Sequence, residues 1–576
     1  MRKSTLVAAV AAIAALLAPS AASARSVYVG NIADGRIDVL AQDQASGVLT
    51  PAPSAPSGTS PVGVALTPDG KSLYAGDYSG AQIYAYTVAA DGTLTAKAGS
   101  PYASGGTTLG VTVTAHGNYL YAANSGASAK ISGYAIAADG TLTPLPGSPY
   151  ATVLNLIGIA SSPDSKLLYA TTNGGPTRIV GFSIGADGSL TTLPATLPSP
   201  GAQAPGVAFS PDGKQLYVAQ YAEDKVAAFN VDPSGALTAV SGSPFTVGDG
   251  PYGLAIAPDG KRLYVPGSIG GDLSSYPVSA DGALGAATAT VAAGSGASAP
   301  AVSPNSRFVY SGAFSAPTGF GFAAGDGGTL TALAGSPYLA SAASDFQGVA
   351  ITPNQGPRAN LKVIPQNPGV KEKTQFKGDA STDADGTVAT YVYDFGDGET
   401  KTGSAEKPKV SHKYKRTGTY TVTLTVTDNE GCSAAVIYSG QTASCNGGTK
   451  AVATKEITVA DKEIEKPKLK GKTKQKQSGK TIKVEVEAGA NEQVTVVGTG
   501  TVKIKGKKEQ ALLKVKKTVK AKKLKTLKLK LKRDAANKKV QKALKAGTPV
   551  KAKVQVKFKD EAGNELVRKL PAIELR

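Results

Sequence analysis

One tyrosine, preceded each time by Val or Leu, returns along the first 357 residues at a nearly constant interval. Its positions are Tyr28, Tyr74, Tyr121, Tyr169, Tyr217, Tyr264 and Tyr310, with steps of 46, 47, 48, 48, 47 and 46 residues. A fixed period of this length marks an array of like units, none of which can bury its apolar face alone. A turn precedes most of these tyrosines: Pro68-Asp69-Gly70-Lys71, Pro163-Asp164, Pro211-Asp212-Gly213-Lys214, Pro258-Asp259-Gly260-Lys261 and Pro304-Asn305. A small apolar run lies ahead of the turn, such as Val62-Gly63-Val64-Ala65-Leu66. A second turn, such as Asp91-Gly92, Asp139-Gly140 or Asp187-Gly188, follows the tyrosine run. Each unit therefore holds four strand-sized runs separated by turn residues.

Four antiparallel strands per period of roughly 40–50 residues describe a propeller blade. The chain enters the array at the tyrosine strand, Val27-Tyr28-Val29, with no inner strand before it, and an orphan inner strand, Gln347 to Thr352, stands at the far end. Pairing the two predicts a closed ring of seven blades without an open edge. Residues 25–357 resemble the lactonase-like, YVTN-repeat seven-bladed propellers. The likeness is carried by Pro-Asp-Gly-Lys-x-Leu-Tyr and by Tyr-x-x-Asn, as in Tyr28-Val29-Gly30-Asn31 and Tyr121-Ala122-Ala123-Asn124. That family holds phosphogluconolactonases, cyclic muconate lactonases and non-enzymes, so the resemblance implies a fold more than an activity.

Lactone hydrolysis needs a general base or a positioned water, and cationic or N–H donors for the oxyanion. The material is sparse. His116 is the repeat region's only histidine, in a turn, and Glu223 its only glutamate, in a loop with Asp224 and Lys225. Arg178 occupies the equivalent loop one blade earlier, so Arg178 and Glu223 are the catalytic candidates. The other equivalent loops hold Asp34 with Arg36, Asp77, Lys130 and Asp272, a mixed ring without the clustered cations a phosphosugar would need.

Residues 358–461 change character. Thr419 to Thr427 alternates at period two, a half-buried strand. With Asp383-Ala384-Asp385-Gly386, Tyr393-Asp394-Phe395-Gly396-Asp397-Gly398 and His412-Lys413-Tyr414, the segment resembles a PKD domain, an immunoglobulin-like β-sandwich. Tyr393 stands where that family has Trp. Asp383, Asp385, Asp394 and Asp397 are candidate oxygen ligands for Ca²⁺, although no glutamate closes an EF-hand loop. Asp-Gly turns account for the same residues without a metal. Cys432 and Cys445 are expected to form a disulfide closing an insertion in the sandwich's last hairpin.

Residues 462–576 carry 35 Lys and Arg against 11 Asp and Glu, whereas residues 25–357 carry 12 against 19. Lysine alternates with apolar residues, as in Leu527-Lys528-Leu529-Lys530-Leu531-Lys532 and Val550 to Phe558. Period two predicts strands with one buried and one lysine face. Residues 462–480 read as a linker, and Asp534 as the cap of a short helix over 535–546. Such a domain attracts polyanions. With Phe558 its only aromatic, it offers no platform for stacking bases, so sequence-specific nucleic-acid binding is not expected.

Residues 1–24 read as a secretory leader: Arg2 and Lys3, an apolar run from Leu6 to Leu17, then Ala22-Ser23-Ala24. No later stretch is apolar enough to span a membrane. The expectation is an all-β chain of leader (1–24), propeller (25–357), PKD domain (358–461) and a lysine-rich linker with basic β-sandwich (462–576). Its expected function is exported, cell-envelope-associated binding or adhesion without a required cofactor. The expected partners are anionic envelope polymer or polysaccharide and a protein contacting the PKD module. The rival is a secreted lactonase-like hydrolase.

Overall fold

The computed structural model describes residues 25–126, 130–152, 155–172, 179–193, 201, 203–314, 318–339, 346–440, 443–461, 466–561 and 563–576. The leader expected at 1–24 lies outside them, as does Arg178. Among the described residues no helix is long and apolar enough to cross a membrane.

Seven antiparallel sheets form the propeller. Blade 2 shows the plan: Pro61–Leu66 innermost, then the tyrosine strand Ser72–Asp77, then Gln82–Val88 and Leu94–Ala96. Blade 1 is composite. Its inner strand, Phe346–Ile351, pairs antiparallel with Arg25–Asn31, setting Val27 opposite Ile351, Tyr28 opposite Ala350 and Val29 opposite Val349. The expected closure is thus present, and the sheet edge at Arg25–Asn31 is covered.

The repeated tyrosine joins the blades. Each ring is buried, and at six of the seven seams its hydroxyl donates to the carbonyl of the glycine in the outer turn of the next blade. Tyr28 reaches Gly92 (2.9 Å), Tyr74 Gly140 (2.7 Å), Tyr121 Gly188 (2.7 Å), Tyr169 Gly235 (2.7 Å) and Tyr217 Gly282 (3.0 Å). Tyr310 of blade 7 reaches Gly47 of blade 1 (2.6 Å), so the same bond closes the ring. At the seam after Tyr264, Gly328 O instead accepts from Thr288 Oγ1 (3.1 Å). The turn glycines at these sites adopt positive φ, between 75° and 87° at Gly47, Gly92, Gly140, Gly188, Gly235, Gly282 and Gly328, which few other residues would hold.

Around the axis, the inner strands approach so closely that each has a glycine at the contact, except in blade 7. A Cβ on Gly63 would lie 2.6 Å from Leu109 O, and one on Gly110 2.6 Å from Ile157 O. Gly158, Gly206, Gly253 and Gly348 repeat the arrangement, and Ala299 fills the seventh place with φ of 27°.

The PKD segment forms two facing sheets. One holds Lys362–Ile364, Thr374–Lys377 and Lys409–His412; the other holds Thr400–Ser404, Val388–Asp394, Gly418–Asp428 and Val452–Val459. Phe376, Tyr393, Phe395, Tyr414 and Leu424 fill the core. Tyr393 occupies the anchor position, and its hydroxyl donates to Pro408 O (2.5 Å). His412 is structural: it stacks on Phe395 at 4.2 Å between centroids and bonds Asp397 Oδ2 through Nε2 (2.8 Å).

The insertion between the last two PKD strands does more than the sequence suggested. Cys432 and Cys445 are bridged, with Cα atoms 5.6 Å apart, and staple a short hairpin of Ile437–Tyr438 and Ala443–Cys445. That hairpin enters the propeller's central channel. Tyr438 is 1% exposed, and its hydroxyl lies 3.0 Å from Thr112 Oγ1 and 2.8 Å from Ser161 Oγ, while Thr112 Oγ1 donates to Gly440 O (2.7 Å). Arg25 completes the seam, 2% exposed, with Nη1 2.9 Å from Glu430 Oε1 and Nη2 3.5 Å from Asp385.

The basic domain has a three-stranded sheet (Lys468–Lys470, Lys483–Gly489, Lys525–Lys530) and a seven-stranded one built on Val494–Ile504 and Val550–Asp560. The expected linker is partly strand: Leu469 packs on the core, and Lys474–Gln475 runs parallel to Ile573–Leu575. The helix is Asp534–Lys545. Arg533 is its N-cap, so Asp534 lies in the first turn, where its charge suits the helix dipole.

Tyr310→Phe tests the latch. It removes the donor to Gly47 O and the acceptor for Gln42 Nε2 (2.6 Å), and should cost about 1–3 kcal/mol in chemical denaturation. An unchanged midpoint would show that the hydroxyl is not holding the seam.

Candidate functional site

The channel has two unlike ends. The Pro-Asp turns lie at the end where the inner strands finish, and there the PKD hairpin is seated, with Ser439, Ala443 and Ser444 beside Ala208, Ile256, Val302 and Ile351. Between the ends lies a cavity of about 100 Å³, lined by the inner strands from Val62 to Val349. Its described lining is Gly, Pro, aliphatic residues and Tyr252, with no carboxylate, imidazole or guanidinium. The loops after the tyrosine strands gather at the opposite mouth.

Those loops hold the residues singled out from the sequence, but many serve their own turns. Arg36 pairs with Asp34 (3.1 Å) and Asp38 (2.6 Å) in its own hairpin. Asp77 is 1% exposed and accepts from the backbone of Thr59 (3.1 Å) and Ser60 (2.9 Å). Glu223 is exposed at the end of a single 3-10 turn, Tyr221–Glu223, and Asp224 Oδ1 accepts from Gly250 N (2.8 Å). Asp272 is lifted above the usual carboxylate range by burial and by the charge of Asp249. His116 lies exposed in a Pro-Asp-type turn at the PKD end, its backbone N–H donating to Ser165 Oγ (3.2 Å).

Aromatic residues were not read as a site, yet they mark this mouth. Tyr252 stands edge-on to Phe314 at 4.5 Å and to Tyr221 at 6.1 Å. The signal was available: Tyr78, Tyr221 and Phe314 all stand four residues after a repeat tyrosine.

The four aspartates read as calcium ligands do not form one group. Asp394 accepts from Gly396 N (2.8 Å) and Asp397 holds His412, so both shape the turn around Phe395. Asp383 and Asp385 lie instead at the propeller seam, near Asp428 and Glu430. Both carboxylate oxygens of Asp383 and Oδ1 of Asp385 are buried without a hydrogen-bond donor. Burial first, then the charges of Asp385 and Asp428, push Asp383 up to about 7. Donor-free hard oxygens suit a divalent cation chemically. Two carboxylates give fewer than the 6–8 oxygens Ca²⁺ takes, so backbone carbonyls or water would complete the shell. Among the described residues, the one acidic trio with ligand atoms within 4.8 Å of one another is Asp461, Glu492 and Asp560, where the PKD and basic domains meet. There Asn564 already donates to Asp461 O and, at 2.8 Å, to Asp560 Oδ2.

The family comparison matches this architecture. Residues 26–146 and 155–251 match the lactonase seven-bladed β-propeller family, and residues 354–441 match the PKD domain. Residues 26–251 belong to a lactonase-type propeller, and a PKD domain follows at 354–441. Similar solved structures include a proposed 6-phosphogluconolactonase from Bacteroides fragilis (20% identity, TM-score 0.49, covering 58% of this chain and 99% of that one). Others are the periplasmic gluconolactonase of Pseudomonas aeruginosa (20%, 0.49, 57% and 100%) and a functionally unknown protein of Desulfotomaculum acetoxidans (16%, 0.47, 57% and 98%). No curated protein matches the chain.

Calcium should raise the melting temperature of the full chain relative to chelator, by about 2.7 kcal/mol of stability at a hundredfold excess over Kd. Asp383→Asn should abolish the difference. A wild-type melt indifferent to calcium would exclude a metal at this seam.

Proposed function

We propose that this protein is an exported, cell-envelope-associated binding protein. The propeller displays a ligand face, the PKD domain joins and spaces, and the basic domain holds anionic envelope polymer. One observation carries the reading. In Val550–Asp560 every second residue from Val550 is buried, while Lys551, Lys553, Lys557 and Lys559 are exposed. Lys528 and Lys530 likewise stand outside the buried Leu527, Leu529 and Leu531. Strand residues i and i+2 lie roughly 6.8 Å apart, so each strand presents a regular row of ammonium groups. Such rows attract polyanions at a distance, and salt screens them. The disulfide supports an extracytoplasmic location, because cytosolic thiols are kept reduced.

The propeller's family match supports a second reading, a secreted lactonase-like hydrolase using Glu223 at the mouth together with Arg178, which lies outside the described residues. Turnover of simple lactones that is lost in Glu223→Gln would establish it.

Binding of the full chain to a soluble polyphosphodiester and to a polyuronate should weaken steeply between low and physiological salt. The combined variant Lys528→Glu, Lys530→Glu and Lys532→Glu should bind at least about tenfold more weakly while staying folded, with a small fall in melting temperature because Lys528 pairs with Glu485 (3.2 Å) on the adjacent strand. Salt-independent binding, or none, would refute the electrostatic role.

A further inference from the structure

The open mouth of the channel carries a feature that neither turn chemistry nor blade packing requires. The position four residues beyond each repeat tyrosine lies where the tyrosine strand leaves the sheet, on the loop side. It is Ile32, Tyr78, Ser125, Tyr221, Ser268 and Phe314 in the described blades. Three of these are aromatic, contributed by blades 2, 5 and 7. Tyr252, at the start of the inner segment of blade 6, stands among them and lines the cavity below. It contacts Phe314 and Tyr221 edge-on, at 4.5 and 6.1 Å. Burial pushes its phenol up, and the neighbouring phenols of Tyr221 and Tyr78 add to the rise. Tyr78 is 45% exposed and Ile269, beside Tyr221, is 64% exposed. Tyr221, Tyr252 and Phe314 are half-buried, so together with Tyr78 they present a partly open aromatic face, unusual on a chain with 6% aromatic residues.

The polar complement is specific as well. The repeat tyrosines Tyr28, Tyr74, Tyr121, Tyr169, Tyr217 and Tyr310 spend their hydroxyls on a turn carbonyl, whereas Tyr78, Tyr221 and Tyr252 stand outside that repeated bond at the mouth. The nearest loops carry Asp224, Asp249 and Asp272, with Lys225, which disfavours a phosphate or carboxylate ligand. Flat faces for C–H surfaces, phenol hydroxyls that can donate and accept, and an acidic surround match an uncharged polyol ring.

We propose that the mouth is a binding site for a neutral glycan, with sugar rings packed on Tyr78, Tyr221 and Phe314 and sugar hydroxyls bonded to the phenols of Tyr78, Tyr221 and Tyr252. This site deepens the reading of the propeller as a ligand-display face and rests on it. The inner strands and the seated PKD hairpin leave about 100 Å³ behind the mouth, so the glycan lies across the opening rather than threading the channel.

The test is calorimetric titration of the full chain from residue 25 with dextran, mannan, galactan and xylan. Salt is held at about 1 M, where the screening length is about 3 Å and lysine-driven binding is suppressed. At least one of the four should bind. Tyr78→Ala and Tyr221→Ala should each weaken it about tenfold or more, and Tyr78→Phe, which keeps the ring, should weaken it less. If Tyr221→Ala lowers the melting temperature, the exposed Tyr78 decides alone. No binding by any of the four, or binding equal in wild type and Tyr78→Ala, overturns the proposal. The lysine variant described above should retain glycan binding, so loss of polyanion binding and loss of glycan binding report separately on the basic domain and on the mouth.

Discussion

A buried phenol donating to the carbonyl of a turn in the next blade is the bond on which the molecule depends. Six of the seven seams use it, including the one that closes blade 7 onto blade 1. Each bond contributes only about 1 kcal/mol net, but leaving its partners unmet in a dry interior would cost more. The tyrosine therefore has two duties, filling the space between sheets and fixing the distance from one blade to the next. The glycine at the receiving turn is constrained from the other side, because its φ of 75–87° is available to few residues. Repeat spacing, seam chemistry and turn composition are one constraint seen three ways.

Much of this was legible in the sequence. The tyrosine interval gave blade number, the missing first inner strand gave the closing pair, and the expected export of a chain with only two cysteines, Cys432 and Cys445, pointed to the disulfide. In the basic domain, period two separated Val550, Ala552 and Val554 from their lysine neighbours. What escaped was set by contacts between distant segments. Nothing near Tyr438 announces that it is seated between Thr112 and Ser161, more than 270 residues earlier. The calcium candidates were grouped by proximity in the chain, but Asp383 and Asp385 face the propeller while Asp394 and Asp397 order their own turn. The aromatic mouth was missed for another reason. Proton-moving groups are what mark a catalytic site in a sequence, whereas the same loops carry rings that can bind without reacting. Lysine, proline, glycine and glutamine make residues 462–480 read as a linker, yet within it Lys468–Lys470 and Lys474–Gln475 pair as strands, because pairing uses the backbone and tolerates those side chains at an edge.

The PKD domain is therefore more than a bead after the propeller. Its stapled hairpin is seated in the channel, Arg25 of the first propeller strand is buried against Glu430 and Asp385, and Gln355 N donates to Asp385 Oδ2 (2.9 Å). The burial of Arg25 with two carboxylates, beside Asp383 whose oxygens have no donor, makes this seam electrostatically demanding. Removing a single partner there would leave charge in a dry place, which is more damaging than losing the pair together.

The seam also determines how tension would travel through the molecule. A chain held by its basic domain at one end and by its propeller at the other is pulled through Val452–Val459, the last PKD strand. That strand lies antiparallel along Gly418–Asp428 with eight residues paired, from Gly418 opposite Val459 to Thr425 opposite Val452. At its far end Ala460 is bridged, parallel, to Gly369 near the domain's entry. Load applied along these strands would shear the paired hydrogen bonds together instead of opening them one by one. The cystine adds a covalent shortcut across the insertion, so the hairpin in the channel would remain a closed loop even while the strands around it were strained.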